Sequence, residues 1–162
     1  MEEALSLLSE GGLGIYLELK DISDHSGAPM NEVENEFVEK VVKVVDDLKI
    51  NDKVIFASFR YDYIKKIKNE NPDSKILCNT GLGDADVLLK DYPADYYGLN
   101  IDTILPDTMT KLLKGGAIPY VYTANTPRQI HKVYDLGVCG IVTNDPKLAN
   151  AILSNILRKR FE

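Results

Sequence analysis

The run Gly14-Ile15-Tyr16-Leu17-Glu18-Leu19-Lys20 reads as a strand, and it fits two kinds of sheet. Side chains alternate along a strand, so Tyr16, Glu18 and Lys20 share one face and Ile15, Leu17 and Leu19 the other. In a half-exposed antiparallel sheet the polar face would stand in water. In a parallel sheet covered by helices, Glu18 and Lys20 would instead sit at a strand end where α/β proteins build their sites. The segments on either side decide between the two.

Upstream, Glu2 to Ser9 reads as a short helix with Ala4, Leu5, Leu7 and Leu8 apolar, ended by Gly11-Gly12. Downstream, Asp21 to Met30 is a polar loop with Ser26, Gly27 and Pro29. Asn31 then caps a helix, with Glu34 three residues on as in a capping box. Val33, Phe37, Val41, Val45 and Leu48, flanked by Val38 and Val42, form its apolar stripe. From there one unit recurs. Strands Val54–Phe59, Lys75–Asn79, Tyr96–Asn100, Ile118–Thr123 and Gly140–Thr143 precede helices Tyr61–Asn69, Asp84–Lys90, Asp107–Lys114, Thr126–Leu136 and Pro146–Phe161. With the Glu18 strand this makes six strands, each followed by a helix. Such alternation implies right-handed crossovers and a parallel sheet with covered faces, so the expected fold class is α/β.

The chain of 162 residues is expected to form one domain. A net charge of −6 and a pI of about 5.0 argue against a nucleic-acid partner. Arg158-Lys159-Arg160 is the one dense basic cluster, placed where cations complement a helix C-terminus. Cys78 and Cys139 lie in apolar stretches and are expected to be buried free thiols, neither a disulfide framework nor a zinc site. The first residues are acidic, no long apolar run follows, and no segment reaches membrane-spanning length, so a soluble cytoplasmic chain is expected.

Polar residues gather at the strand ends: Glu18 and Lys20, Ser58, Asn79, Asn100, Thr123 and Asn125, and Thr143 and Asn144. In a parallel sheet these ends share one edge. A carboxylate and an ammonium held there together suit metal and phosphate handling; they suit a structural ion pair as well.

At this point several stretches resemble the glycerophosphodiester phosphodiesterases. Glu2-Glu3-Ala4-Leu5 is similar to the Leu-Glu-Glu segment before the family's third barrel strand. Tyr16-Leu17-Glu18-Leu19-Lys20 resembles its Asn-Ile-Glu-Ile-Lys, and Ala57-Ser58-Phe59 its Ser-Ser-Phe. Val121-Tyr122-Thr123-Ala124-Asn125 resembles Val-Trp-Thr-Val-Asn, and Gly137 to Pro146 resembles Gly-Val-Asp-Gly-Ile-Ile-Thr-Asp-x-Pro. Each motif alone is weak; five in order are strong.

The resemblance implies an incomplete TIM-type (β/α) barrel, Glu18 as a ligand of a divalent metal (Mg2+ or Ca2+), and Lys20 as a catalytic residue holding a phosphate oxygen. Lys20, Ser58, Tyr122 and Asn125 are the expected contacts to a small phosphodiester substrate. Tyr122 replaces the family's Trp and reads equally as a pocket wall or an interior packing residue. Cys139 and Asn144 replace usual aspartates.

The family's first two strands carry His-Arg-Gly, Glu-Asn-Thr and Glu-x-Asp, with a second His after them, and these have no counterpart here. A complete barrel takes about 250 residues. The chain is therefore expected to be an N-terminally truncated domain that holds its metal weakly if at all, has little activity alone, and self-associates through exposed edge strands. His25 lies in the loop after the Glu18 strand, within reach of the site or simply solvated. His131 falls inside a helix, away from the strand ends. Two readings compete with an impaired phosphodiesterase. One is a non-catalytic phosphate-binding or regulatory remnant of that family. The other is an unrelated phosphosugar isomerase, disfavoured because Thr143-Asn144-Asp145-Pro146 offers no glycine-rich phosphate turn.

Overall fold

The computed structural model describes residues 1–22, 30–81 and 84–160, the side chain of residue 160 excepted. Two compact units divide the chain, Met1–Asn79 and Thr80–Glu162. The first unit holds α1 (Glu2–Glu10), β1 (Ile15–Glu18), α2 (Glu32–Asp47), β2 (Val54–Ser58), α3 (Tyr61–Glu70) and β3 (Lys75–Thr80), whose last residue belongs to the second unit. The second continues with α4 (Ala85–Asp91), β4 (Tyr96–Asn100), α5 (Pro106–Lys114), β5 (Ile118–Tyr122), α6 (Pro127–Asp135), β6 (Gly140–Ile141) and α7 (Pro146–Arg160). Among the described residues six strands, each followed by a helix and parallel to its partners within its unit, are thus present, as the alternation implied.

Within the first unit β1 pairs with β2 and β2 with β3, all parallel, so that Leu17, Phe56 and Ile76 stand side by side. Val38, Val41 and Val45 of α2 and Ile64 and Ile67 of α3 are buried, as are Val54, Phe56 and Leu77 of the strands. Their spacing of three and four in the helices gives each one apolar face to lay on a sheet. Val33 departs from the expected stripe: it is 69% exposed, in the first turn of α2. Of the apolar residues of α1 only Leu5 is buried, while Leu7 and Leu8 are exposed. In the second unit β4 pairs with β5 and β5 with β6. Leu88, Met109, Leu112, Ile130 and Val133 from the helices are buried there with Leu99 and Val121 from the strands.

Helix ends follow their local chemistry. Asn31 and Glu34 form the capping box of α2, and Thr126 and Gln129 form one at α6. Asp84 caps α4 by accepting from Asp86 N and Val87 N, and Pro106 sits in the first turn of α5.

Cys139 corrects the sequence reading: it is exposed, whereas Cys78 is buried. Cys139 precedes β6, the outermost strand of its sheet, so its apolar neighbours in sequence do not enclose it in space. The last strand is also shorter than expected, although backbone pairing runs past it through Val142 N to Val121 O at 2.9 Å.

Candidate functional site

In the first unit the strand register defines the surface around Glu18. Glu18 stands beside Ala57, and Ala57 beside Leu77, so the three share a face. Continuing by one alternation puts Lys20, Phe59 and Asn79 on that face at the C-terminal ends of the strands. Ala57 is small, and above it Tyr16 reaches from β1 across β2, its hydroxyl donating to Asn79 Oδ1 at 3.0 Å. Glu18 and Lys20 are both exposed, and among the described residues neither side chain makes a hydrogen bond or an ion pair. The structural ion pair between them is therefore not formed. Among the described residues the Glu18 carboxylate at the end of β1 and the Lys20 ammonium two residues on are thus both uncommitted.

Ser58 is fully buried and its hydroxyl is used twice. It donates to the Leu19 carbonyl at 2.7 Å and accepts from Arg60 N at 3.0 Å. Arg60, next along the chain, anchors a polar network that the sequence reading did not single out. Its Nη1 bonds both Asp21 carboxylate oxygens at 3.2 Å and lies 3.3 Å from Glu34 Oε1. Its Nε and Nη2 take the two oxygens of Asp62 at 2.9 and 2.5 Å. The guanidinium also lies over the Tyr63 ring, 5.1 Å from its centre. Bonding to Asp62 above all, and then to Asp21, holds the Arg60 cation above its ordinary pKa against the cost of burial.

Glu34 is 2% exposed, yet each of its oxygens is occupied. Tyr63 donates its hydroxyl to Oε1 at 2.9 Å and Asn31 N donates to Oε2 at 2.8 Å. Burial, and then the bond to Glu34, pushes the Tyr63 phenol up to about 12. The only sequence signal for this network was the arginine placed directly behind Ser58-Phe59 at the strand end.

The second unit carries Tyr122 and Asn125. Tyr122 is half-buried at the end of β5 and donates its hydroxyl to the Thr80 carbonyl at 3.0 Å. Asn125 Oδ1 accepts from Asn144 N at 2.8 Å and Thr143 Oγ1 at 3.4 Å, tying the loop after β5 to the loop after β6. Asn100 turns back on its own loop and accepts from Asp102 N at 2.8 Å. His131 is exposed on α6 beside Arg128 and Lys132; His25 lies outside the described residues.

A hard divalent cation takes six or more oxygen ligands. Among the described residues no three carboxylate, histidine or cysteine side chains come together to hold one. Even with one carboxylate from Glu18, the described residues do not fit a metal centre by themselves. No described helix is long and apolar enough to cross a membrane.

Comparison with known proteins decides the family. The model of the glycerophosphoryl diester phosphodiesterase family matches residues 1–148. The chain belongs to that family. Protein YqiK of Bacillus subtilis is 28% identical over 121 residues, which cover 72% of this chain and 50% of that protein. A glycerophosphodiester phosphodiesterase of Caldanaerobacter subterraneus is 25% identical over 126 residues, or 75% of this chain and 49% of that one. A solved Oleispira antarctica phosphodiesterase, in complex with the product sn-glycerol-3-phosphate, superposes with a TM-score of 0.81 at 18% identity. That match covers 95% of this chain and 60% of the other. The fold class of this glycerophosphoryl diester phosphodiesterase family member is accordingly an incomplete TIM-type (β/α) barrel. The chain spans about half the length of the curated relatives it matches.

Proposed function

We propose that this chain supplies the Glu18–Lys20 edge of a glycerophosphodiester phosphodiesterase site. The reaction adds water across the phosphorus–oxygen bond to the alcohol, releasing the alcohol and glycerol 3-phosphate. The observation that carries this reading is the pair of exposed opposite charges at the end of β1, Glu18 and Lys20, neither paired among the described residues. Lys20 places an ammonium where it can take a phosphate oxygen and offset the negative charge that grows there during the reaction. Glu18 would contribute one carboxylate toward a Mg2+ or Ca2+ ion, although the described residues bring together no group of three or more ligating side chains. The same reading gives Tyr122 and Asn125 of the second unit a substrate-contacting role of their own, with the Tyr122 ring as a wall. Ser58, its hydroxyl already occupied, takes part by shaping the strand end.

The isolated chain is expected to turn over slowly or not at all, since the acid–base histidines of the family motifs have no counterpart in its sequence. A non-catalytic phosphate-binding role is the second reading. It is favoured by the finding that, among the described residues, no group of three or more metal-ligating side chains comes together.

The test is calorimetric titration of sn-glycerol 3-phosphate into the purified chain, alongside hydrolysis of glycerophosphocholine with Mg2+, with Ca2+ and with chelator. Binding that Lys20→Met weakens at least tenfold supports the proposed edge. Undetectable binding to the folded wild-type chain overturns it. Chelator-sensitive turnover separates an enzyme from a binding remnant.

A further inference from the structure

The backbone on both sides of Lys20 is held by one corner of the molecule, the turn from β2 into α3. On the N-terminal side, Leu19 N donates to Ala57 O at 2.8 Å and the Leu19 carbonyl accepts from Ser58 Oγ at 2.7 Å. On the C-terminal side, Arg60 grips the Asp21 carboxylate through two contacts of 3.2 Å. Ile22 N donates to the Tyr63 hydroxyl at 3.4 Å. Residues 19, 21 and 22 are each tied to this corner, and the Lys20 side chain makes no hydrogen bond or ion pair among the described residues.

We propose that Arg60, with Ser58, is a positioning residue for Lys20: the two fix the backbone from Leu19 to Asp21 and so aim the ammonium along the Glu18 face. This rests on the phosphate-binding role given to Lys20 above. The Arg60 side chain is 11% exposed and faces three carboxylates, those of Asp62, Asp21 and Glu34. A planar guanidinium can satisfy several carboxylates at once through its fixed fork of donors; a lysine ammonium cannot. The surrounding acids thus select arginine for its geometry as well as its charge. Ser58 couples the two sides, since the hydroxyl that holds Leu19 also accepts from Arg60 N.

The experiment compares wild type, Ser58→Ala, Arg60→Met, Arg60→Lys, Asp21→Asn and Lys20→Met by amide hydrogen exchange and by titration with sn-glycerol 3-phosphate. Exchange in the peptide covering residues 19–22 should quicken at least tenfold in Ser58→Ala, Arg60→Met and Asp21→Asn. Peptides from α6 and α7 should keep their wild-type rates, which separates local loosening from general destabilisation. Arg60→Lys should recover less than half of the lost protection. Lys20→Met should lose ligand binding while leaving exchange unchanged. Unchanged exchange at residues 19–22 in the folded variants overturns the proposal, as does full recovery by Arg60→Lys. Should Arg60→Met not fold, Asp21→Asn, altered at a more exposed partner, gives the same reading. Absence of binding in wild type defeats the phosphate-binding role alone, because exchange still decides whether the corner holds this segment.

Discussion

Glu34 serves two structures at once, closing the capping box of α2 and accepting from Tyr63 inside the Arg60 network. Removing it leaves the buried Tyr63 hydroxyl without its acceptor and takes one of three carboxylates from the Arg60 guanidinium, and such losses cost far more than a cap. Glu34→Ala should therefore destabilise the chain by about 3 kcal/mol, against about 1 kcal/mol for Asn31→Ala, both read from urea midpoints. The Tyr63 phenol, pushed up to about 12, stands near 10 in an unfolded chain. Folding thus favours its neutral form, and this contribution is whole below about pH 10 and lost as pH rises toward about 12. Midpoints should fall across that window, and less steeply in Tyr63→Phe. The two thiols differ in the same physical terms. Burial pushes Cys78 up to about 11, while Cys139 stands exposed. Iodoacetamide at neutral pH should label Cys139 alone in the native chain and both thiols in urea.

At the scale of elements, four helices end in one way. After α1, α2, α5 and α6 the backbone turns through a left-handed residue, Gly12, Lys49, Gly116 and Gly137 in turn. The following amide, of Leu13, Ile50, Ala117 or Val138, bonds back to the carbonyl five residues earlier. This double-bonded close with an apolar residue after it is the Schellman motif, and it leads the chain from each helix toward the next strand. Three of the four use glycine, which enters the left-handed region without a steric penalty; Lys49 does so at φ 55°. Lys49→Gly should stabilise the first unit by about 1 kcal/mol, and a lower urea midpoint would refute the strain. Gly140 in β6 is required for a different reason. A Cβ there would fall 2.2 Å from the Tyr120 ring, which also meets Tyr96 edge-on at 5.6 Å. Gly140→Ala should cost about 1–3 kcal/mol through this clash.

For the molecule as a whole, the sides of β1 and β6 that pair with no strand among the described residues matter most. Each of these strands pairs on one side within its unit, and an unpaired edge is a template for another chain. Leu7, Leu8 and Leu13, on the segment leading into β1, are exposed as well. A net charge of −6 opposes association, and added salt screens it. Light scattering should show a mass that rises with concentration and rises further at about 0.5 M salt, where the screening length is only a few ångströms. A monodisperse monomer at both ionic strengths would contradict this.

Local chemistry by itself determined the order of strands and helices, the caps at Asn31 and Thr126, and the alternation expected to put Glu18 and Lys20 on one face. Those features depend on residues a few positions apart, so a pattern of polarity is enough to reveal them. The family was legible for the same reason, through short motifs at strand ends. Tertiary structure decided the rest. Arg60 meets Asp21 across 39 positions, Tyr63 meets Glu34 across 29, and Tyr16 meets Asn79 across 63. Strand register and helix packing bring these partners together, and no local propensity encodes that pairing. Ser58 looked like a substrate-facing hydroxyl until its partners were visible, and Cys139 looked buried until its strand proved to be the last in its sheet. A side chain's freedom to act depends on what already occupies its hydrogen bonds, and that is settled only when the chain has folded.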